Sequence, residues 1–159
     1  MINKIVLSPN IEDEYKDKRA TAYYSFLKTS TLIERQIKSS LRKYELTHLQ
    51  LNVLFVLYHL RPTVLSLSEL KQKLILDSPD LSRLVDRLVK KGLLSRGECK
   101  ENRRKVNISI TKSGVTLFEK AHMECKIDLD NFFQSNVSIK EAEALNDILC
   151  KMRNSLIQT

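Results

Sequence analysis

Residues 66–111 read SLSELKQKLILDSPDLSRLVDRLVKKGLLSRGECKENRRKVNISIT, and this stretch decides the fold. Ser66-Leu-Ser-Glu69 has the spacing of a capping box, in which the serine side chain and the glutamate three residues on satisfy each other's free backbone donors. It opens a short helix to Ile75, with Leu67, Leu70 and Leu74 facing inward. After a break at Leu76–Asp77, Ser78 is read as the N-cap of a second helix with Pro79 at its first position, where a missing N–H costs nothing. Leu81, Leu84, Val85 and Leu88 repeat at i, i+3, i+4 and i+7, the period of one helix face, while Asp80, Arg83, Arg87 and Lys90 occupy the other. Gly92 follows as the C-cap, behind cations suited to the negative end of the helix dipole. Val106, Ile108 and Ile110 then alternate with Asn107, Ser109 and Thr111, the pattern of a half-buried strand. Leu93 and Leu94 would pair with it, which makes residues 97–105 a basic hairpin tip. Helix, turn, helix and two-stranded ribbon together outline a winged helix-turn-helix.

The flanks are helical. Residues 12–44 read as one long helix with apolar positions at Ala20, Tyr23, Tyr24, Leu27, Leu32 or Ile33, Ile37 and Leu41. At 1.5 Å per residue it would be about 50 Å long, more than one small core can cover. Thr47-His-Leu-Gln50 is a second capping-box match, opening an almost wholly apolar helix from Leu49 to Leu60 that Pro62 stops. Thr111 or Ser113 starts another helix to about Asn131, and Ser138-Ile-Lys-Glu141 caps a last one carrying Ile139, Ala142, Leu145, Ile148 or Leu149, Met152 and Leu156 on one side. The fold class is therefore mostly α with a small β-hairpin wing, one domain over 1–159, with a lobe at 47–114 between long helices at 12–44 and 115–159. Three Gly and three Pro in 159 residues argue against a turn-rich sandwich or barrel.

Charge narrows the function. The chain carries 27 basic and 19 acidic side chains, a net +8, which favours a polyanionic partner. Residues 83–105 hold nine basic against three acidic side chains, whereas residues 115–159 hold five against seven. The positive charge is thus read as concentrated at the motif. Cys99, Cys125 and Cys150 are odd in number and form no CxxC pair, which fits a reducing cytosol better than a disulfide framework. The run MINKIVLSPNIEDEYKDKR lacks the apolar core of a signal peptide, and no apolar run approaches a membrane span. A cytoplasmic protein without a membrane partner is the expectation.

The stretch SPDLSRLVDRLVKKGLLSRGECKENRRKVNISITKSG resembles the recognition helix, wing and following strand of the MarR family of bacterial transcription regulators. The resemblance is specific over residues 66–114 and looser for the flanking helices. It implies an obligate homodimer, held by the N- and C-terminal helices, whose two lobes bind a pseudo-palindromic operator, as a repressor. Carried over position by position, it puts Ser82, Arg83 and Arg87 on the groove-contacting helix and Arg104 at the wing tip. The family usually has Asp two residues before that arginine; here Asn102 stands there, so the charge that would hold Arg104 is gone.

The residues fit that chemistry. Arg83 can match guanine O6 and N7 with its fork, Ser78, Asp80 and Ser82 lie on the helix end that enters a groove deepest, and Pro79 can touch a thymine methyl. Arg103, Arg104 and Lys105 suit phosphates or a narrow minor groove. The plainer alternative is a solvated helix face on which Arg83 and Arg87 pair with Asp80 and Asp86. A winged-helix module that binds protein rather than DNA is the rival function.

Relatives that sense small molecules suggest an effector pocket lined by Tyr23, Tyr24, Tyr44, His48 and Phe55, with Phe26 and His59 nearby; ordinary aromatic packing explains the same residues. Glu119, His122 and Cys125 stand at i, i+3 and i+6, but ligands strung along one helix seldom converge, and no metal or other cofactor is expected. Cys99 lies among wing cations that would favour its thiolate. No GxSxG, Walker loop, HExxH or GxGxxG is present, so an enzyme is not expected.

Overall fold

The computed structural model describes residues 17–76, 78–98 and 106–157. The chain forms two compact units, residues 1–48 and 49–159.

The first unit is dominated by α1, Lys18–Leu41. Asp17 caps it, its carboxylate accepting from the Arg19 N–H at 2.9 Å. This helix begins later than position 12; residues 12–16 lie outside the described residues. A 3₁₀ turn, Arg42–Tyr44, tightens its end, and Glu45 turns left-handed. Ile37 and Leu41 are its buried residues.

The second unit begins at Leu49, within α2, His48–His59, whose Gln50 to Leu54, Val56 and Leu57 are buried. That agrees with its nearly all-round apolar sequence. α3, Leu67–Lys73, starts with the expected capping box: the Ser66 N–H donates to Glu69 at 2.7 Å and the Glu69 N–H to Ser66 Oγ at 3.3 Å. It is shorter than Ser66–Ile75 because Leu74 is already extended.

α4, Leu81–Lys90, buries Leu81, Leu84, Val85 and Leu88. Its start corrects the sequence reading. Ser78 is not the N-cap and Pro79 is not helical. Pro79–Asp80 form a turn, and the helix starts only at Leu81. Asp80 takes the cap position without a side-chain cap, and its carbonyl accepts the first helical bond, from the Leu84 N–H at 3.1 Å. The other end matches expectation. Gly92 has φ +70°, the left-handed region where glycine avoids the Cβ penalty. The N–H of Gly92 donates to Val89 O at 2.9 Å and that of Leu93 to Leu88 O at 3.0 Å, a Schellman closure.

β1, Leu94–Glu98, pairs antiparallel with β2, Val106–Ile110, Leu94 opposite Ile110 and Glu98 opposite Val106. Leu65 bridges the other edge of β2 through two bonds with Ile108, at 2.8 and 3.0 Å. Ile108 is fully buried between them, while Val106, expected inside, is exposed because the ribbon leaves the core towards its tip. Thr111 caps α5, Lys112–Asn136, accepting from the Gly114 N–H at 3.0 Å while its hydroxyl stands 2.7 Å from Gly92 O. That one side chain ties the end of the ribbon to the end of α4. Gly114 is required by contact: a Cβ there would strike the Leu93 carbonyl and come within 2.8 Å of Ile110 Cγ1.

Phe118 of α5 is buried and stacks on His122, with ring centres 5.0 Å apart. Tyr58, at 4.5 Å, and Phe55, at 6.2 Å, complete an aromatic seam between α2 and α5. The Tyr58 hydroxyl donates to Glu119 at 2.9 Å. α6, Ile139–Ile157, carries the expected cap, the Ser138 N–H donating to Glu141 at 2.9 Å. Those bonds hold the Glu141 carboxyl below its ordinary pKa. No helix among the described residues is long and apolar enough to cross a membrane.

Candidate nucleic-acid interface

α4 is anchored on one side by four buried aliphatic side chains, and this fixes what its other side shows. Ser82, Arg83, Arg87 and Lys90 are exposed. Arg83 is 78% exposed and its Nη1 lies 3.3 Å from Asp80 Oδ2, one turn back. In water such a pair contributes only ~0.2–1 kcal/mol, so the guanidinium is lightly held and available. Arg87 has no ion-pair partner among the described residues. Asp86 turns instead to the wing, where Arg96 Nη1 lies 2.5 Å from its Oδ1. The solvated alternative is thus half realised: Arg83 pairs with Asp80, but Arg87 does not pair with Asp86.

Of the other residues expected at the interface, Pro79 and Asp80 are exposed in the turn. Ser78 is 4% exposed. It lines the floor of a groove of about 690 Å³ rather than the outer face. Ser66, Lys71, Ser82 and Arg96 line the same groove, placing hydroxyls and two cations beside the start of α4. Lys71 and Arg96 were not singled out from the sequence for this face; the helical phase of Lys71 and the strand position of Arg96 were the available signals. Arg103, Arg104, Lys105 and Cys99 lie outside the described residues.

The residues read as an effector pocket have other engagements. Tyr23 and Tyr24 meet edge to face at 5.2 Å. Tyr44 has Lys43 Nζ 5.3 Å from its ring centre. His48 Nδ1 is 2.6 Å from Glu34 Oε2. Phe55 joins the aromatic seam and lies 4.4 Å from the His59 ring.

The i, i+3, i+6 set on α5 is likewise dispersed, with Glu119 on Tyr58 and His122 on Phe118. Among the described residues, no three His, Cys, Asp or Glu side chains gather to hold a metal ion. Burial lowers the His122 pKa, helped by His59 and Lys126. Burial also raises that of Cys125, beside Asp128 and Glu124, which leaves it a poor nucleophile.

A buried-backed exposed helix, a tight turn before it and a ribbon pinned to its end define a winged helix-turn-helix protein. Residues 46–106 match the model of the MarR family. An uncharacterized HTH-type transcriptional regulator from Bacillus subtilis is 31% identical over 67% of this chain; the match spans 63% of that relative, less than two thirds of its length. The HTH-type transcriptional regulator TtmR of Methylorubrum extorquens is 29% identical over 96% of this chain and 76% of its own. The crystal structure of the Staphylococcus aureus MepR–DNA complex superposes with a TM-score of 0.75 at 26% identity, covering 84% of this chain and 96% of that one. Carried by this lobe, the protein resembles the MarR family of transcription regulators.

Proposed function

We propose that the protein is a sequence-specific repressor that binds a pseudo-palindromic operator in double-stranded DNA as a homodimer and is released by a small-molecule effector. One observation carries the DNA reading: Ser82, Arg83 and Arg87 project from a helix whose opposite side is locked into the core. A major groove admits one such helix, and an arginine fork reads guanine there. The likeness to a regulator solved on DNA supports the same reading. The apolar residues left open on α5 and α6 support a second copy of the chain: Met123, Ile127 and Phe132 are exposed, as are Ile139 at 80% and Leu156 at 78%. Two lobes about one helical turn of DNA apart, ~34–36 Å, would then meet consecutive half-sites. An effector would act by changing lobe spacing.

The test is selection of bound duplexes from a randomised pool, then titration of the selected site and of random duplex. Arg83→Ala should lose ~1–3 kcal/mol on the selected site and less on random DNA. Equal losses would make Arg83 a phosphate contact only, and no binding to any duplex would leave the protein-interaction module. Sedimentation should give twice the 18.4 kDa chain mass.

A further inference from the structure

The positive charge is not confined to the motif. Residues 18–44 carry seven basic side chains against one acidic, Glu34, an excess equal to that of residues 83–105. On α1 this charge is ordered. Lys28, Thr31, Arg35, Lys38, Ser39 and Arg42 stand at i, i+3, i+7, i+10, i+11 and i+14, which is one helix face. All six are exposed. Lys38 has a partner, Glu34 at 3.8 Å. Lys28, Arg35 and Arg42 have no ion-pair partner among the described residues.

The geometry points to a second docking surface for duplex DNA, in which Lys28, Arg35, Lys38 and Arg42 hold phosphates without reading bases. This rests on the reading of the protein as a DNA-binding regulator. Between Lys28 and Arg42 the stripe runs about 21 Å at 1.5 Å per residue. Duplex DNA presents one negative charge per ~1.7 Å of axis, about twelve over that length. Four cations therefore meet phosphate wherever they land, which suits a contact indifferent to sequence. Between the cations the stripe offers the hydroxyls of Thr31 and Ser39 and no apolar side chain, so it has nothing to place in a protein core. A membrane-surface helix needs a free apolar face opposite its cations. Between Lys28 and Arg42, Ile37 and Leu41 are buried and Leu32 and Ile33 half-buried, so this stretch leaves no fully free apolar face.

The variant K28Q/R35Q/K38Q/R42Q tests this, with glutamine keeping length and helix propensity. Binding to a duplex of about 40 bp carrying the selected site is titrated across a salt series. Each lost phosphate contact should flatten the log–log salt dependence by ~0.9, up to ~3.6 for four, while the preference for selected over random sequence stays unchanged. The single variant R35Q, expected to flatten it by ~0.9, keeps the test readable should the fourfold variant fold poorly. Unchanged affinity and slope, with sequence preference intact, would overturn the stripe alone. An unaltered protein that does not distinguish selected from random duplex would instead overturn the regulator reading. Binding to phosphatidylserine vesicles that the fourfold variant loses, with DNA titrations unchanged, would give the stripe to a membrane.

Discussion

Arg96 on β1 and Asp86 on α4 are joined by an ion pair, Nη1 to Oδ1 at 2.5 Å, that fixes the ribbon to the helix presenting Arg83. Both side chains are partly exposed, so the pair adds only ~0.2–1 kcal/mol to stability. Its larger effect is orientation. Arg96→Gln and Asp86→Asn should each leave the urea midpoint nearly unchanged yet weaken binding to the selected duplex. The double variant should lose little more than either single one, because one contact is removed in all three. Fully additive binding losses would mean the two residues act independently.

Gly114 carries a steric constraint that the sequence does not advertise. In Gly114→Ala the methyl must displace the Leu93 carbonyl, which is backbone, and crowd Ile110. Overpacking of this kind costs ~1–3 kcal/mol. The N–H that Thr111 accepts belongs to the same residue, so the strain falls on the junction of ribbon, α4 and α5. Thermal unfolding should show the loss, and an unchanged midpoint would mean the helix start shifts freely.

Ser66 and Glu69 close a reciprocal cap at the start of the motif, and Ser66 is buried. Ser66→Ala removes an acceptor for the Glu69 N–H and should cost ~0.5–2 kcal/mol. Chemical denaturation should move its midpoint without changing its slope. A changed slope would show that the substitution disturbs more than one helix end.

What the sequence disclosed was local. The pairs Ser66–Glu69 and Ser138–Glu141, the glycine closing α4 and the Leu81-Leu84-Val85-Leu88 face depend on residues within two turns of each other, and each stands where the pattern places it. What it hid was contact across the chain. Leu65 pairing with Ile108, Asp86 choosing Arg96 over Arg87, and Gly114 pressed on Leu93 all need the third dimension. At the start of α4, serine before proline has the pattern of a cap, but Pro79–Asp80 form a turn and Ser78 is buried, a placement that the local pattern does not carry. The basic face of α1 was legible by helical phase.

His122 gives the pH dependence a direction. Its ring stacks on Phe118 and lies 5.6 Å from Phe55, a surrounding that favours the neutral form, and His59 and Lys126 oppose its protonation further. Its folded pKa is therefore below the ordinary 6.5. Between the two values the unfolded chain binds the extra proton, so stability rises with pH across that window. The His122 contribution is complete above the ordinary value and is lost as pH falls below it, until the folded ring itself protonates. Urea unfolding at about pH 7.5 and about pH 5.5, either side of the ordinary imidazole range, should give the lower midpoint at the acid value. Glu141, held below its ordinary 4.5, acts in the same direction only at more acid pH, so it does not confuse this window. His122→Gln removes the titrating ring and should narrow the difference between the two midpoints. An undiminished difference in that variant would transfer the effect to other groups.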